Sequence, residues 1–263
     1  MWKQVIRIGL YQFASSSRIS DNMAHICRAV KGAAAQSVRL LVFHECALCG
    51  YPPLETAVDD IHAEEVEEAL RQIEDLARQN RMFIAVGTVR FDGEKRRNTM
   101  AVIGEDGKLS GFYDKKALWG WDEDHFVRGD RSGILEVDHI RIGFRICFDV
   151  RCPELFRELY QERVELCFVS FSDTSEEPNP VRRNIITSHL ITRAVENVMT
   201  VASVNTTSGG QTAPTAIFDC NGRIVKEAEN GREGLLIYDF ATPEIDFGMR
   251  GRIVNNGYFM GKE

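Results

Sequence analysis

The chain has 263 residues, 44% of them hydrophobic, and a formal net charge of −7. That is enough for one large α/β domain with a substantial core. The acidic balance argues against nucleic acid as a partner, and no apolar run is long enough to span a bilayer.

The opening residues, Met1 to Ile8, read as the start of a first strand and not as a signal peptide, and that strand runs over 5–10. A helix is expected over 21–35, capped by Ser20, and then a strand at Leu40–Phe43. Residues 63–79 carry Val66, Leu70, Ile73 and Leu76-Ala77 at a helix period. From Met82 to Tyr113 the pattern changes. Strand-like runs at 83–89, 98–103 and 111–113 are broken by Asp92-Gly93 and Glu105-Asp106-Gly107, which are hairpin signals. Alternation then resumes: strand 140–146, helix 153–159, strand 165–171, helix 182–196, strand 198–204. A second hairpin turns at Asp219-Cys220-Asn221-Gly222, between 215–218 and 223–226, and a last strand covers 235–239. Many of these strands are apolar on both faces, as expected when both faces are covered. The mixture of alternation and hairpins predicts two sheets packed face to face with helices outside.

No repeat, low-complexity segment or linker divides the chain, so residues 1–263 read as a single domain. Residues 241–263 form a C-terminal tail holding Phe247, Met249, Ile253, Val254 and Tyr258 after the last strand. Apolar residues there are hard to place in a finished sandwich, and docking across a two-fold axis would bury them, which predicts a homodimer or a higher homo-oligomer. Seven scattered cysteines, an odd number, fit free thiols in a reducing cytoplasm better than a disulfide framework. Cys46 and Cys49 form a C-x-x-C, but no second pair has zinc-site spacing, so no metal is expected.

Cys147 has the most distinctive surroundings. It ends the run Ile140 to Ile146 and precedes Phe148-Asp149-Val150-Arg151-Cys152-Pro153, a strand, tight turn and helix start. The helix dipole and exposure there would favour a reactive thiolate. A cysteine nucleophile needs a base and an oxyanion holder. None of the six histidines stands in a comparable context. Glu45 ends the apolar run Leu40-Leu41-Val42-Phe43, where desolvation would raise its pKa toward that of a usable base. Lys115 follows Gly111-Phe112-Tyr113-Asp114, where a fixed cation could hold an oxyanion. Phe171, Ser172 and Asp173 end the strand after the cysteine and are expected to line the site, with Asp173 favouring a cationic substrate group.

Together three segments resemble the nitrilase superfamily of carbon–nitrogen hydrolases. Phe43-His44-Glu45 with Gly50-Tyr51-Pro52 is similar to its glutamate motif, and Tyr113-Asp114-Lys115-Lys116-Ala117-Leu118 to its lysine motif. The run from Gly143 to Glu154 around Cys147 resembles its cysteine motif. The resemblance implies a four-layer αββα sandwich and hydrolysis of a small amide or N-carbamoyl compound through a thioester, without metal or organic cofactor. It implies Glu45 as general base, Lys115 as oxyanion holder, Cys147 as nucleophile and the Phe148 backbone N–H as second oxyanion donor. The family's additional carboxylate falls at Glu123 by residue type, whereas counting back from Phe126 and Gly129 favours Asp122; Glu123 is the preferred assignment. Phe148-Asp149 with Arg151 resembles the amidase and carbamoylase branches. His44, where the family usually has proline, and Cys152, where it usually has an aromatic residue, depart from the pattern and blur the branch. A nitrile hydrolase or a catalytically silent binding protein are the alternatives. A Cys–His–Glu amidotransferase fits poorly, because Cys147 lacks flanking glycines and no histidine follows His189.

Overall fold

The computed structural model describes residues 5–261, so the reading of residues 1–4 lies outside it. The first half runs β1 (Val5–Gln12), α1 (Ile19–Ala34), β2 (Leu40–Phe43), α2 (Ala63–Asn80), β3 (Phe83–Asp92), β4 (Lys95–Ile103), β5 (Leu109–Asp114) and the one-turn α3 (Asp122–His125). Next come β6 (Ile134–Val137), β7 (Ile140–Ile146), α4 (Pro153–Gln161), β8 (Leu166–Phe171), β9 (Thr174–Ser175) and α5 (Pro180–Glu196). The chain finishes with β10 (Thr200–Asn205), β11 (Gly210–Gln211), β12 (Ala216–Phe218), β13 (Ile224–Glu227), β14 (Gly234–Ala241) and α6 (Phe247–Phe259).

Two six-stranded mixed sheets result, ordered β14-β1-β2-β3-β4-β5 and β13-β12-β10-β8-β7-β6. In the first, β1, β2 and β3 are parallel and the hairpin strands β4 and β5 extend it antiparallel. The second repeats the scheme, with β7, β8 and β10 parallel.

Strand periodicity explains the layers. Ile6, Ile8, Leu10, Leu40 and Val42 point toward the other sheet, meeting Ile142, Phe144, Ile146 and Phe168 in the central core. The alternate residues Leu41 and Phe43 point outward, under Ile26, Val30, Val66, Ile73 and Ala77 of α1 and α2. On the far side Cys167, Val169 and Val201 lie under Phe156, Leu159, Ile186 and Leu190 of α4 and α5. The central strands thus feed two cores, which is why they read as apolar on both faces. The αββα sandwich is the architecture of this chain. No helix among the described residues is long and apolar enough to cross a membrane.

Three details differ from the sequence reading. Ser20 lies inside the first turn of α1, Arg18 occupies the cap position without a side-chain bond, and the Asn22 side chain accepts from Ser16 N–H instead. Helix α5 begins at Pro180 because Asn179 caps it, accepting from Arg182 N–H. The tail, to which the sequence reading assigned no element, contains a helix: α6 is capped by Asp246, with Met249 buried and Phe247, Val254, Tyr258 and Phe259 exposed.

One glycine positions the site. A Cβ on Gly87 of β3 would lie 2.2 Å from His44 O and 2.5 Å from Cys46 N, so only glycine lets the turn after β2 rest on β3. Leu48 N–H closes the contact by donating to Gly87 O at 3.0 Å. Gly87→Ala is expected to destabilise the fold by roughly 1–3 kcal/mol, since the clash is with backbone that cannot move aside. Thermal unfolding should show the loss, with activity falling further than stability because the turn carries Glu45.

Candidate active site

The site collects at one edge of the sandwich. Glu45 follows β2, Lys115 follows β5, Cys147 follows β7, and Ser172 and Asp173 follow β8. Parallel strands deliver their C-terminal ends to a common edge, where side chains from separated segments meet.

Glu45 is fully buried. Its Oε1 accepts from Lys115 Nζ at 2.8 Å and from Asn98 Nδ2 at 2.7 Å, and its Oε2 accepts from Ser172 N–H at 2.8 Å. Lys115 Nζ also donates to Asp122 Oδ2 at 2.7 Å. Asp122 Oδ1 in turn accepts from Tyr51 Oη at 2.8 Å. The ammonium is therefore clamped between two carboxylates in a dry setting. Burial raises the Glu45 pKa above the usual 4.5, against the pull of Lys115. For Lys115 burial works against the charge, but Glu45 first, then Cys147, Tyr51 and Asp122, hold it well above the usual lysine value.

Cys147 opens a short 3₁₀ turn, Cys147–Arg151, with φ of +44°, a region that non-glycine residues avoid. Asp149 holds this turn. Its Oδ2 accepts from Ile146 N–H at 2.9 Å and Tyr113 Oη at 2.8 Å, and its Oδ1 from Ala117 N–H at 2.7 Å. One buried carboxylate so ties the cysteine turn to the loop carrying Lys115. The thiol differs from the expectation of a dipole-favoured thiolate. Burial, and next the charge of Glu45, push its pKa well above the usual cysteine value. A cysteine held as the thiol needs a neighbouring base to become nucleophilic.

Cys147 and Lys115 line a cavity of about 390 Å³ together with Phe148, Phe171, Asp173, Trp119 and Trp121. A larger hollow of about 920 Å³ lies under α6 and holds none of these groups.

Residues 7–247 match the sequence model of the carbon-nitrogen hydrolase family. The chain belongs to that family. It is 27% identical over 168 residues to the omega-amidase NIT2 of Homo sapiens, covering 60% of this chain and 59% of that protein. It is 29% identical to the 2-oxoglutaramate amidase of Bacillus subtilis, covering 67% of this chain and 68% of that one. The chain thus spans about three-fifths of the length of the omega-amidases it matches. The fold resembles that of an amidase from Nesterenkonia sp., with a TM-score of 0.82 at 24% identity over 97% of both chains. A mutant of the amidase from Nesterenkonia sp. AN1 in complex with butyramide superposes with a TM-score of 0.80 at 25% identity, covering 89% of this chain and 90% of that one.

In this member of the carbon-nitrogen hydrolase family the assigned residues separate into those brought together and those not. Glu45, Lys115, Cys147, Phe148, Phe171 and Asp173 converge. Glu123 does not: its side chain is 56% exposed and pairs with Arg128 at 2.8 Å. Asp122 takes the place beside Lys115. Successive helix positions point about 100° apart, so only one of the two can face inward. Phe126, buried four residues after Asp122, marks that inward face and was the legible signal. Asp173 does not offer a free charge either, since Arg182 Nε and Nη2 donate to its two oxygens at 2.8 and 2.7 Å and Thr212 donates to it as well. The expected preference for a cationic substrate group loses its basis. Asn98, Tyr51 and Asp149 were not singled out from sequence, because nothing local marks their long-range partners.

Histidine takes no part among the cavity-lining residues. His44 is buried, with its pKa pushed down to about 3 by burial, and its Nε2 lies 3.0 Å from Ser15 Oγ. Cys46 and Cys49 are buried, and no three His, Cys, Asp or Glu side chains among the described residues could hold a metal ion.

The clamp separates Asp122 from its neighbour experimentally. Asp122→Asn removes one of the two charges that fix Lys115 and is expected to lower kcat/KM roughly 10²-fold through misplacement of the ammonium. Glu123→Gln should stay within a factor of about two, as expected for an exposed ion pair. Lys116→Met should behave like Glu123→Gln, because Lys116 pairs with Glu158 and not with the site.

Proposed function

We propose that the chain hydrolyses a small non-peptide amide through a thioester on Cys147. The observation that carries this reading is the buried Lys115 ammonium, bonded to Glu45 and Asp122 on the wall of the cavity that holds the Cys147 thiol. Glu45 takes the thiol proton as the sulfur attacks the amide carbonyl. The oxyanion that forms is met by Lys115 Nζ and the Phe148 backbone N–H, donors fixed before the reaction begins. Glu45 returns the proton to the departing nitrogen, and ammonia or an amine leaves. Water then attacks the thioester with Glu45 again as base, releasing the carboxylic acid and regenerating the thiol. Asp122 keeps Lys115 charged and in place while Glu45 cycles between its two protonation states. Proton donors and acceptors are all side chains, so the reaction needs no metal or organic cofactor. The amidases among its relatives support this reaction class.

The proposal extends to assembly and place. Phe247 is 94% exposed, Tyr258 73% and Phe259 79%, on a helix whose one buried residue is Met249. Covering that surface with a second copy gives a homodimer built through α6. Seven scattered cysteines favour a reducing cytoplasm.

Alkylation of Cys147 by iodoacetamide, followed by peptide mass mapping, checks the chemistry. Labelling of Cys147 should slow in Glu45→Gln while that of exposed Cys27 is unchanged, and Cys147→Ala should abolish turnover while leaving unfolding cooperative. The base sets the pH dependence. Glu45 has a folded pKa raised above 4.5, so its carboxylate is lost, and with it the rate, as the pH falls through that raised value. Glu45→Gln should slow acylation by roughly 10²–10⁴ and remove this acid limb. For assembly, light scattering should return about twice the 29.8 kDa of one chain. A mass of one chain persisting at high protein concentration would reject the dimer.

A further inference from the structure

His44 is a buried ionisable group that the reaction above leaves unused, and it directly precedes Glu45. Its ring stands edge-on to Phe13, with 4.7 Å between centroids, and its Nε2 lies 3.0 Å from Ser15 Oγ. Nδ1 has no partner among the described residues. Ser15 Oγ also donates to Glu55 Oε2 at 2.7 Å. The same Oε2 accepts from Tyr51 N–H at 2.8 Å, and Tyr51 Oη donates to Asp122 at 2.8 Å. Ser15 and His44 are buried and Glu55 is half-buried.

The protons fix the direction of this chain of bonds. A hydroxyl has one proton to give. Ser15 gives it to the Glu55 carboxylate, the stronger acceptor, so it must accept from His44. Burial pushes the His44 pKa down to about 3, which leaves the ring neutral with a single N–H. That proton therefore sits on Nε2, and Nδ1 is bare. One hydroxyl, on the loop after β1, thereby reaches both ends of the Lys115 clamp. It reaches Glu45 through the adjoining His44, and Asp122 through Glu55 and Tyr51. The clamp works only if both carboxylates stay within hydrogen-bond distance of one ammonium, at 2.8 and 2.7 Å.

We propose that Ser15, His44 and Glu55 are positioning residues, forming a buried relay from His44 to Ser15 to Glu55 that sets the spacing of Glu45 and Asp122 about Lys115. This rests on the reaction proposed above, in which Glu45 is the base for Cys147. The rate of Cys147 alkylation by iodoacetamide reads that base without a substrate, and each full-length variant is first checked for cooperative unfolding. Ser15→Ala and His44→Leu should each slow labelling of Cys147 roughly 10-fold, a loss of the kind that misplacement of a reacting group produces, while exposed Cys27 is unaffected. The double variant should be no slower than the slower single one, because both break the same chain of bonds. His44→Gln, whose side-chain amide can donate as Nε2–H does, should recover most of the rate. Nitrogen-15 spectra of ring-labelled histidine, assigned by the signal lost in His44→Gln, should place the His44 proton on Nε2. Losses that multiply in the double variant, a rate in His44→Gln as low as in His44→Leu, or a proton on Nδ1 would each overturn the relay. Should His44→Leu not fold, Ser15→Ala, His44→Gln and the spectra decide the same question. If Glu45→Gln slows Cys147 and Ser15→Ala does not, the relay alone falls. If Glu45→Gln leaves the rate unchanged, the base assignment falls and the relay with it.

Discussion

The Lys115 ammonium, buried between Glu45 and Asp122, is the constraint on which the rest of the site depends. Taking an ion this far out of water costs several kcal/mol, and only close, well-directed partners offset it. The ion and its two partners come from three places in the chain: Glu45 from the turn after β2, Lys115 from the loop after β5 and Asp122 from the single turn of α3. Each must arrive within hydrogen-bond distance. Gly87 lets the Glu45 turn settle on β3, Tyr51 steadies Asp122, and Asn98 and Ser172 N–H take up the remaining valences of Glu45. Removing Lys115 would leave two buried carboxylates uncompensated, and removing any other partner leaves a buried polar group short of a hydrogen bond, so fold and site are coupled at this point.

The same dryness shapes the chemistry. A thiol in this cavity is held well above its usual pKa, first by burial and then by the charge of Glu45. The carboxylate that disfavours its thiolate is also the neighbouring group able to accept its proton. Burial works against the Lys115 charge, but Glu45, Cys147, Tyr51 and Asp122 together hold its pKa well above the usual lysine value. An oxyanion forming beside it therefore meets a charge already in place, and little has to reorganise as the reaction proceeds.

The meeting of Glu45, Lys115 and Cys147 at one cavity was legible in the sequence for a physical reason. Glu45 and Cys147 end buried strands, and Lys115 directly follows one, where an ionisable residue stands out against apolar neighbours. Phase within a single helical turn was harder. Asp122 and Glu123 are adjacent acids, and the choice between them is made by Tyr51 and Lys115, both distant in sequence. Asp173 read as a free charge because its partner, Arg182, lies across a loop whose course depends on where α5 starts. Helix α6 escaped notice because Gly248, Gly251, Gly257, Asn255 and Asn256 give it poor helical propensity. Strand β6 is only four residues long and gains its identity by pairing with β7.

Mass spectrometry of protein quenched with acid during turnover of a small amide tests the thioester most directly. Peptide mapping should place the acyl group, as a mass increment matching the amide's acyl moiety, on the peptide containing Cys147, and the adduct should disappear in Cys147→Ala. An acyl group on another cysteine, or turnover retained in Cys147→Ala, would contradict the assignment of Cys147 as the nucleophile.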